Sequence, residues 1–179
     1  MTTAMTHAAG RPQTNEYAPY YERYISLVSG DDIDHILSAQ LPDTLALLAR
    51  FTEQQSDYRY APGKWTVKEL LGHVNDAERV FAYRALRIAR ADQTPIEGFE
   101  QDDYIKNSHA NERSFNDLLC EFAEVRAANL RLMHSLDDAD WQRSGTASGF
   151  PVSARALAFI MAGHVRHHLN IIQECYLAA

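Results

Sequence analysis

His164 and His168 are separated by three residues, Val165, Arg166 and His167, within the stretch Ala162–Ile172. On a helix that spacing puts two imidazoles one turn apart on one face, with Cβ atoms about 5–6 Å apart. Both rings can then reach a single ion. Leu157, Ile160, Met161, His164, His168, Ile171 and Cys175 recur at intervals of three and four, so the pair continues an apolar stripe that should face the interior, with His167 to one side. Two neighbouring imidazoles in a core need partners, because an unpaired buried polar group costs on the order of 1–3 kcal/mol. A shared metal ion would satisfy both.

A third histidine stands on a different helical pattern. His73 lies on the side of its helix marked by Leu70, Val74 and Ala77, again facing the core. Taken alone, such a residue is more often a core histidine bonded to a carbonyl or carboxylate. Beside His164 and His168 it completes a set of three protein ligands, the arrangement that leaves a further metal position for water or substrate. Imidazole donors favour zinc, nickel, copper or iron over magnesium or calcium. An ion held there lowers the pKa of a water or thiol bound to it, or polarises a substrate oxygen.

Other chemistries lack their motifs. The residues between His164 and His168 exclude HExxH, and the chain contains no paired ExxH motifs, no GxSxG elbow and no P-loop. Asp76 and Glu78 near His73, and Tyr104 further on, are candidate supporting or acid–base groups. His35 and His109 read as surface or loop histidines.

The elements that must position the triad are helical. Asp31-Asp32 starts a helix whose stripe of Ile33, Ile36, Leu37, Leu45, Leu48 and Phe51 runs to about Gln55, with Pro42 marking a kink or a junction of two helices. Thr66-Val67-Lys68-Glu69 is a capping box, in which the threonine hydroxyl accepts from the third helical N–H and the glutamate reaches back. The helix it opens carries His73 and runs to about Arg90. Ser114 caps a third helix with the stripe Leu118, Phe122, Val125, Asn129, Leu132, Met133 and Leu136, and Asp137–Trp141 forms a short turn after it. Ser153 caps the last helix, which carries the histidine pair to about Leu177. Between these lie a long crossover at Phe99–Asn111 and flexible punctuation at Ser144–Pro151. Four long helical patterns and no clear strand predict an all-α four-helix bundle.

Residues 1–16 are polar and without periodicity, so they read as a disordered arm ahead of a single domain spanning 17–179. The aromatic-rich segment Tyr17–Ile25 is too apolar to be free and should drape over the bundle or a partner subunit. The formal charge of -7, with Lys and Arg scattered, gives no footprint for nucleic acid or an anionic membrane. No apolar run reaches the length of a membrane span, and the first residues lack a signal-peptide pattern, so a cytoplasmic location is expected. Cys120 and Cys175, in helical patterns and without CxxC spacing, read as buried reduced thiols.

The stretch from Ala61-Pro62-Gly63-Lys64-Trp65 through Thr66 to Gly72-His73, then Asp76-Ala77-Glu78-Arg79, and the closing Ala162-Gly163-His164 with His168, resembles the DinB-like superfamily of bacterial metal-binding bundles. That family is unrelated to the DNA polymerase sharing its name. Tyr83–Arg87 and Gly145–Gly149 extend the resemblance, which covers about Asp31 to Leu177. It implies an up-down-down-up bundle with an interior histidine triad, whose first ligand falls on His73 and whose last two fall on His164 and His168. It also implies nickel or zinc, a homodimer and a small-molecule substrate. Members of known activity include thiol-dependent S-transferases and a maleylpyruvate isomerase that use low-molecular-weight thiols. The leading expectation is therefore a metal-dependent thiol S-transferase, with a metal-dependent hydrolase or a non-catalytic, stress-related metal-binding bundle as the rivals.

Overall fold

The computed structural model describes residues 9–177, and its framework is four long helices. In chain order the helices are α1 (Glu22–Ile25), α2 (Ile33–Leu48), α3 (Glu53–Ser56), α4 (Val67–Ala89), α5 (Gln101–Asn107), α6 (Phe115–Met133), α7 (Asp138–Gln142) and α8 (Ala154–Ile171). Strands β1 (Ser144–Ala147) and β2 (Phe150–Ser153) form an antiparallel hairpin between α7 and α8. The long helices α2, α4, α6 and α8 make the bundle.

Their relative directions follow from which residues meet. Along α4 and α6 the pairs run together, Asn75 with Leu118 and then Glu78 with Arg126, so these two helices are parallel. Along α4 and α8 they run oppositely: the Tyr176 hydroxyl, just past α8, donates to the Trp65 carbonyl, His73 meets His164, and a Cβ on Gly145, ahead of α8, would touch Ile88. On α2 and α6, Gln40 meets Arg126 while Glu53, in α3, meets Phe115, again antiparallel. The order is up-down-down-up. Two parallel neighbours cannot be joined by a tight turn, which is why the chain needs the long α4–α6 crossover.

Local chemistry explains where the helices begin. Thr66 Oγ1 accepts from the Glu69 N–H at 2.9 Å, and Glu69 Oε2 accepts from the Thr66 N–H at 2.8 Å, closing the capping box at α4. Ser114 and Ser153 accept from Asp117 and Ala156 in the same way, starting α6 and α8. Apolar faces of α4, α6 and α8 bury Leu71, Phe122 and Phe159 in the core.

Several expectations need correction. Pro42 does not divide α2, which continues through it as one helix with the proline ring exposed; the break falls after Leu48 instead. Ser144–Pro151 is a β-hairpin, turning through Ser148 and Gly149 at positive φ, a two-residue turn that periodicity does not signal. The crossover contains α5 rather than loop alone. Both cysteines are free; Cys120 is exposed on the outer side of α6, and Cys175, in the turn after α8, is only partly buried against the core.

The N-terminal segment is also more engaged than expected. Residues 1–8 of the predicted arm lie outside the described residues. From Ala9 on the chain is fastened down: Arg11 donates at 2.7 Å to the carbonyls of Ile25 and Val28, and Glu16 accepts at 2.7 Å from both Ser153 and the Arg155 Nε. The tyrosine-rich segment lies on its own bundle, with α1 packed against α8. Among the described residues no helix is long and apolar enough to cross a membrane.

Candidate metal centre

His73 projects from the second turn of α4, and His164 and His168 from the C-terminal half of α8, where these antiparallel helices meet. The three rings converge through Nε2, with His73 and His168 Nε2 lying 3.0 and 3.1 Å from His164 Nε2. All three residues are buried. Trp65 packs against His73 at 5.0 Å between ring centroids, and Tyr24 and Phe81 edge onto His164 at 5.3 and 5.6 Å. His167 points aside, toward Tyr24, while His35 and His109 are exposed on the surface.

Burial keeps these rings neutral. Loss of solvent, then the charge of His167, brings His73 down to about 4. Burial and the neighbouring imidazoles hold His164 and His168 well below the ordinary histidine range. Lone pairs are therefore available at neutral pH without displacing a proton from the cluster.

Three neutral imidazoles meeting at Nε2 cannot satisfy one another. Each Nε2 carries either one N–H or one in-plane lone pair. His164 Nε2, facing two partners, can make one good hydrogen bond and leaves the other contact unmade. A cation that accepts three lone pairs satisfies all three rings at once. Donors 2.0–2.1 Å from a common ion lie about 2.8–3.4 Å apart for angles between right and tetrahedral, and both separations from His164 fit that range. The residues present thus fit a divalent metal that favours nitrogen donors. Nδ1 of His73 and Nδ1 of His168 are buried without an acceptor among the described residues, which supply no outer support of the kind usual for metal-ligating histidines at those two rings.

Two cavities reach the triad from different sides. One, of about 380 Å³, is bounded by His73 and His164, by Tyr20, Tyr21 and Tyr24 of the N-terminal segment, and by Phe81, Arg84 and Phe99. The other, of about 270 Å³, reaches His168 past Tyr60, Trp65 and Tyr176. Asp102, in the first turn of α5, lines both. Of the supporting groups expected from sequence, none takes part. Glu78 is bound to Arg126 in the core, Asp76 lies 4.0 Å from Arg79, and Tyr104 packs at a tilt against Phe99 outside the histidine cavities.

Three contributors escaped the sequence reading. The tyrosines of the N-terminal segment gave no sign of which surface they cover. Asp102 sits in a polar stretch with other acids. Arg84 did leave a signal: it is eleven residues, three helical turns, beyond His73, with Ala77 and Phe81 between on the same face.

An up-down-down-up four-helix bundle enclosing a buried histidine triad defines a recognisable class, and the chain belongs to the DinB superfamily, whose model matches residues 36–172. A Geobacillus thermodenitrificans protein named "Putative metal-dependent hydrolase" is 28% identical over 147 residues, covering 77% of this chain and 80% of its own. The solved structure of YfiT from Bacillus subtilis, described as "a probable metal-dependent hydrolase with an unusual four-helix bundle topology", superposes with a TM-score of 0.69. It covers 93% of this chain and 91% of its own at 16% identity, a likeness of fold.

Proposed function

We propose that His73, His164 and His168 hold a divalent metal through Nε2 and that the chain hydrolyses a small organic substrate bound in the adjoining cavity. The observation carrying this reading is the convergence of three neutral, buried Nε2 atoms that cannot satisfy one another. The names of the two relatives support hydrolysis over the thiol transfer expected first from sequence. Bound there, the ion supplies Lewis acidity, lowering the pKa of a water and polarising a substrate oxygen.

The chain's own residues do the rest. Tyr20, Tyr21, Tyr24 and Phe81 wall the cavity with aromatic surface, excluding water and orienting an apolar body. Burial and the Tyr20 hydroxyl push the Tyr24 phenol up, so it stays protonated and serves as a donor. Asp102, at the edge shared by both cavities, is assigned as the carboxylate that accepts a proton.

Elemental analysis of the purified protein, of His73→Ala and of His164→Ala tests the site; near-stoichiometric metal lost in both variants is expected. Turnover of a panel of esters, amides and phosphoesters that tracks metal occupancy tests the reaction. Thiol transfer remains the second reading because the triad is approached by two cavities, an arrangement suited to two co-substrates. Metal-dependent consumption of a low-molecular-weight thiol by an electrophile, with no hydrolysis in the panel, would select it.

A further inference from the structure

The bundle buries two arginines almost completely, and they are treated differently. Arg126, with 0% exposure, is neutralised: Glu78 takes two of its hydrogen bonds at 2.5 and 3.0 Å, and Leu37 O and Gln40 Oε1 take others. Arg84, 2% exposed, forms no ion pair among the described residues. Its Nη2 donates to two neutral oxygens, Glu97 O at 2.9 Å and Ser148 Oγ at 3.1 Å, and its Nε is buried with no acceptor. A guanidinium cannot shed its charge by deprotonation. An unpaired buried charge is among the most costly features a fold can retain. Arg84 lines the same 380 Å³ cavity as His73 and His164.

From this contrast we infer that Arg84 is the binding site for a carboxylate on the substrate, whose other end reaches the histidines. The inference rests on the reading of this cavity as the substrate site and adds the substrate class. A single guanidinium with its Nη2 already engaged matches a monoanion better than a dianionic phosphate. Glu100 and Asp102 on the cavity wall, with a net charge of -7, repel a dianion about twice as strongly as a monoanion. Eleven residues of helix set the Cα atoms of His73 and Arg84 about 16 Å apart along the axis. Arg84 and the histidines therefore stand three helical turns apart on one cavity wall. Phe81 and the tyrosines share that wall, which favours a ligand with an aromatic or aliphatic body. The hairpin that supplies Ser148 and the segment carrying Glu97 hold the guanidinium by one amino group, leaving Nε unpaired among the described residues.

The test compares phenylacetate, 3-phenylpropionate and 4-phenylbutyrate with their primary amides, by calorimetric titration into the protein in metal-loaded and metal-stripped forms. The expected result is that at least one carboxylate binds roughly tenfold or more tighter than its amide in both forms. Arg84→Met should abolish that preference and Arg84→Lys should retain part of it. Equal binding of acids and amides across the series by the unmodified protein, or an acid preference unchanged in Arg84→Met, would overturn the proposal. The unmodified protein answers even where a variant does not fold. Carboxylate preference in the metal-stripped form, together with absent metal-dependent hydrolysis, would count against the hydrolase reading and leave the Arg84 assignment standing.

Discussion

Gly163 of α8 lies directly beneath the backbone of Tyr24: a β-carbon on it would stand 2.1 Å from the Tyr24 carbonyl oxygen and 2.4 Å from its carbon. The atoms in the way are main chain, so no rotamer change relieves them. This contact lets α1 lie flush on α8 and brings the Tyr24 ring against His164, the next residue. Gly163→Ala should therefore push the N-terminal segment off the bundle. We expect a loss of about 2 kcal/mol or more in urea unfolding, with accelerated proteolysis ahead of residue 33. Unchanged stability and cleavage would contradict the contact.

The polar cluster in the core makes a second prediction. Arg126, Glu78, Gln40 and Asn129 tie α2, α4 and α6 together, and Gln40 Nε2 donates at 2.8 Å to Ala162 O on α8. Arg126→Met leaves the buried Glu78 carboxyl without its cation, which should cost about 3–5 kcal/mol. Combining it with Glu78→Leu should recover part of that loss. Recovery stays incomplete because Gln40 and Asn129 also lose partners. Denaturant melts of the two singles and the double give the coupling directly.

Much of this was legible in the sequence because helix periodicity and caps are local. Thr66, Ser114 and Ser153 each announced the helix they open, and the i, i+4 spacing of His164 and His168 gave their common face. What stayed hidden depends on contacts distant in sequence. Nothing local says that Glu78 faces an arginine 48 residues on, or that Glu16 meets Arg155. Tyr24 reads only as an apolar aromatic until Gly163 is seen beneath it. The hairpin at Ser144–Ser153 escaped because its strands are four residues each and contain Gly145 and Pro151, residues that argue against strand.

The triad predicts a pH dependence for the metal-stripped protein. His73 titrates near 6.5 when unfolded and at about 4 when folded. Between those values the unfolded chain binds the proton and the folded one does not, so protonation favours unfolding. Stability should be unaffected by this group above pH 6.5 and should fall steadily as the pH drops from there toward 4. His73→Phe should flatten that slope. Melting temperatures measured across the window in parallel decide it, and parallel slopes would sink the assignment.

Asp102 gives a prediction on turnover. If its carboxylate accepts the proton in the proposed hydrolysis, Asp102→Asn should lower kcat by roughly a hundredfold. The metal content should be unchanged, since the side chain is exposed and the three nitrogens proposed as ligands lie elsewhere. Loss of metal together with activity would instead place Asp102 among the groups that hold the ion.

The N-terminal segment is fixed at a second point, and the two anchors should act on the site separately. Glu16 accepts from Ser153, the cap of α8, and from Arg155. Burial raises the Glu16 carboxyl, but hydrogen bonds from Arg155, the Gln13 backbone and Ser153 outweigh it and hold it below the ordinary value of 4.5. The folded state therefore releases this proton more readily than the unfolded chain. The tie contributes its full stability above pH 4.5 and loses it as the pH falls below that through the folded value. Glu16→Gln should remove that acid sensitivity and cost about 1 kcal/mol at neutral pH. It leaves Gly163 and Tyr24 in contact, so the aromatic wall stays beside His164. Cleavage before Tyr17 should quicken, whereas the affinity for an aryl carboxylate should hold. Limited proteolysis and titration on the same variant separate the two, and a joint loss would mean that the segment docks as one unit.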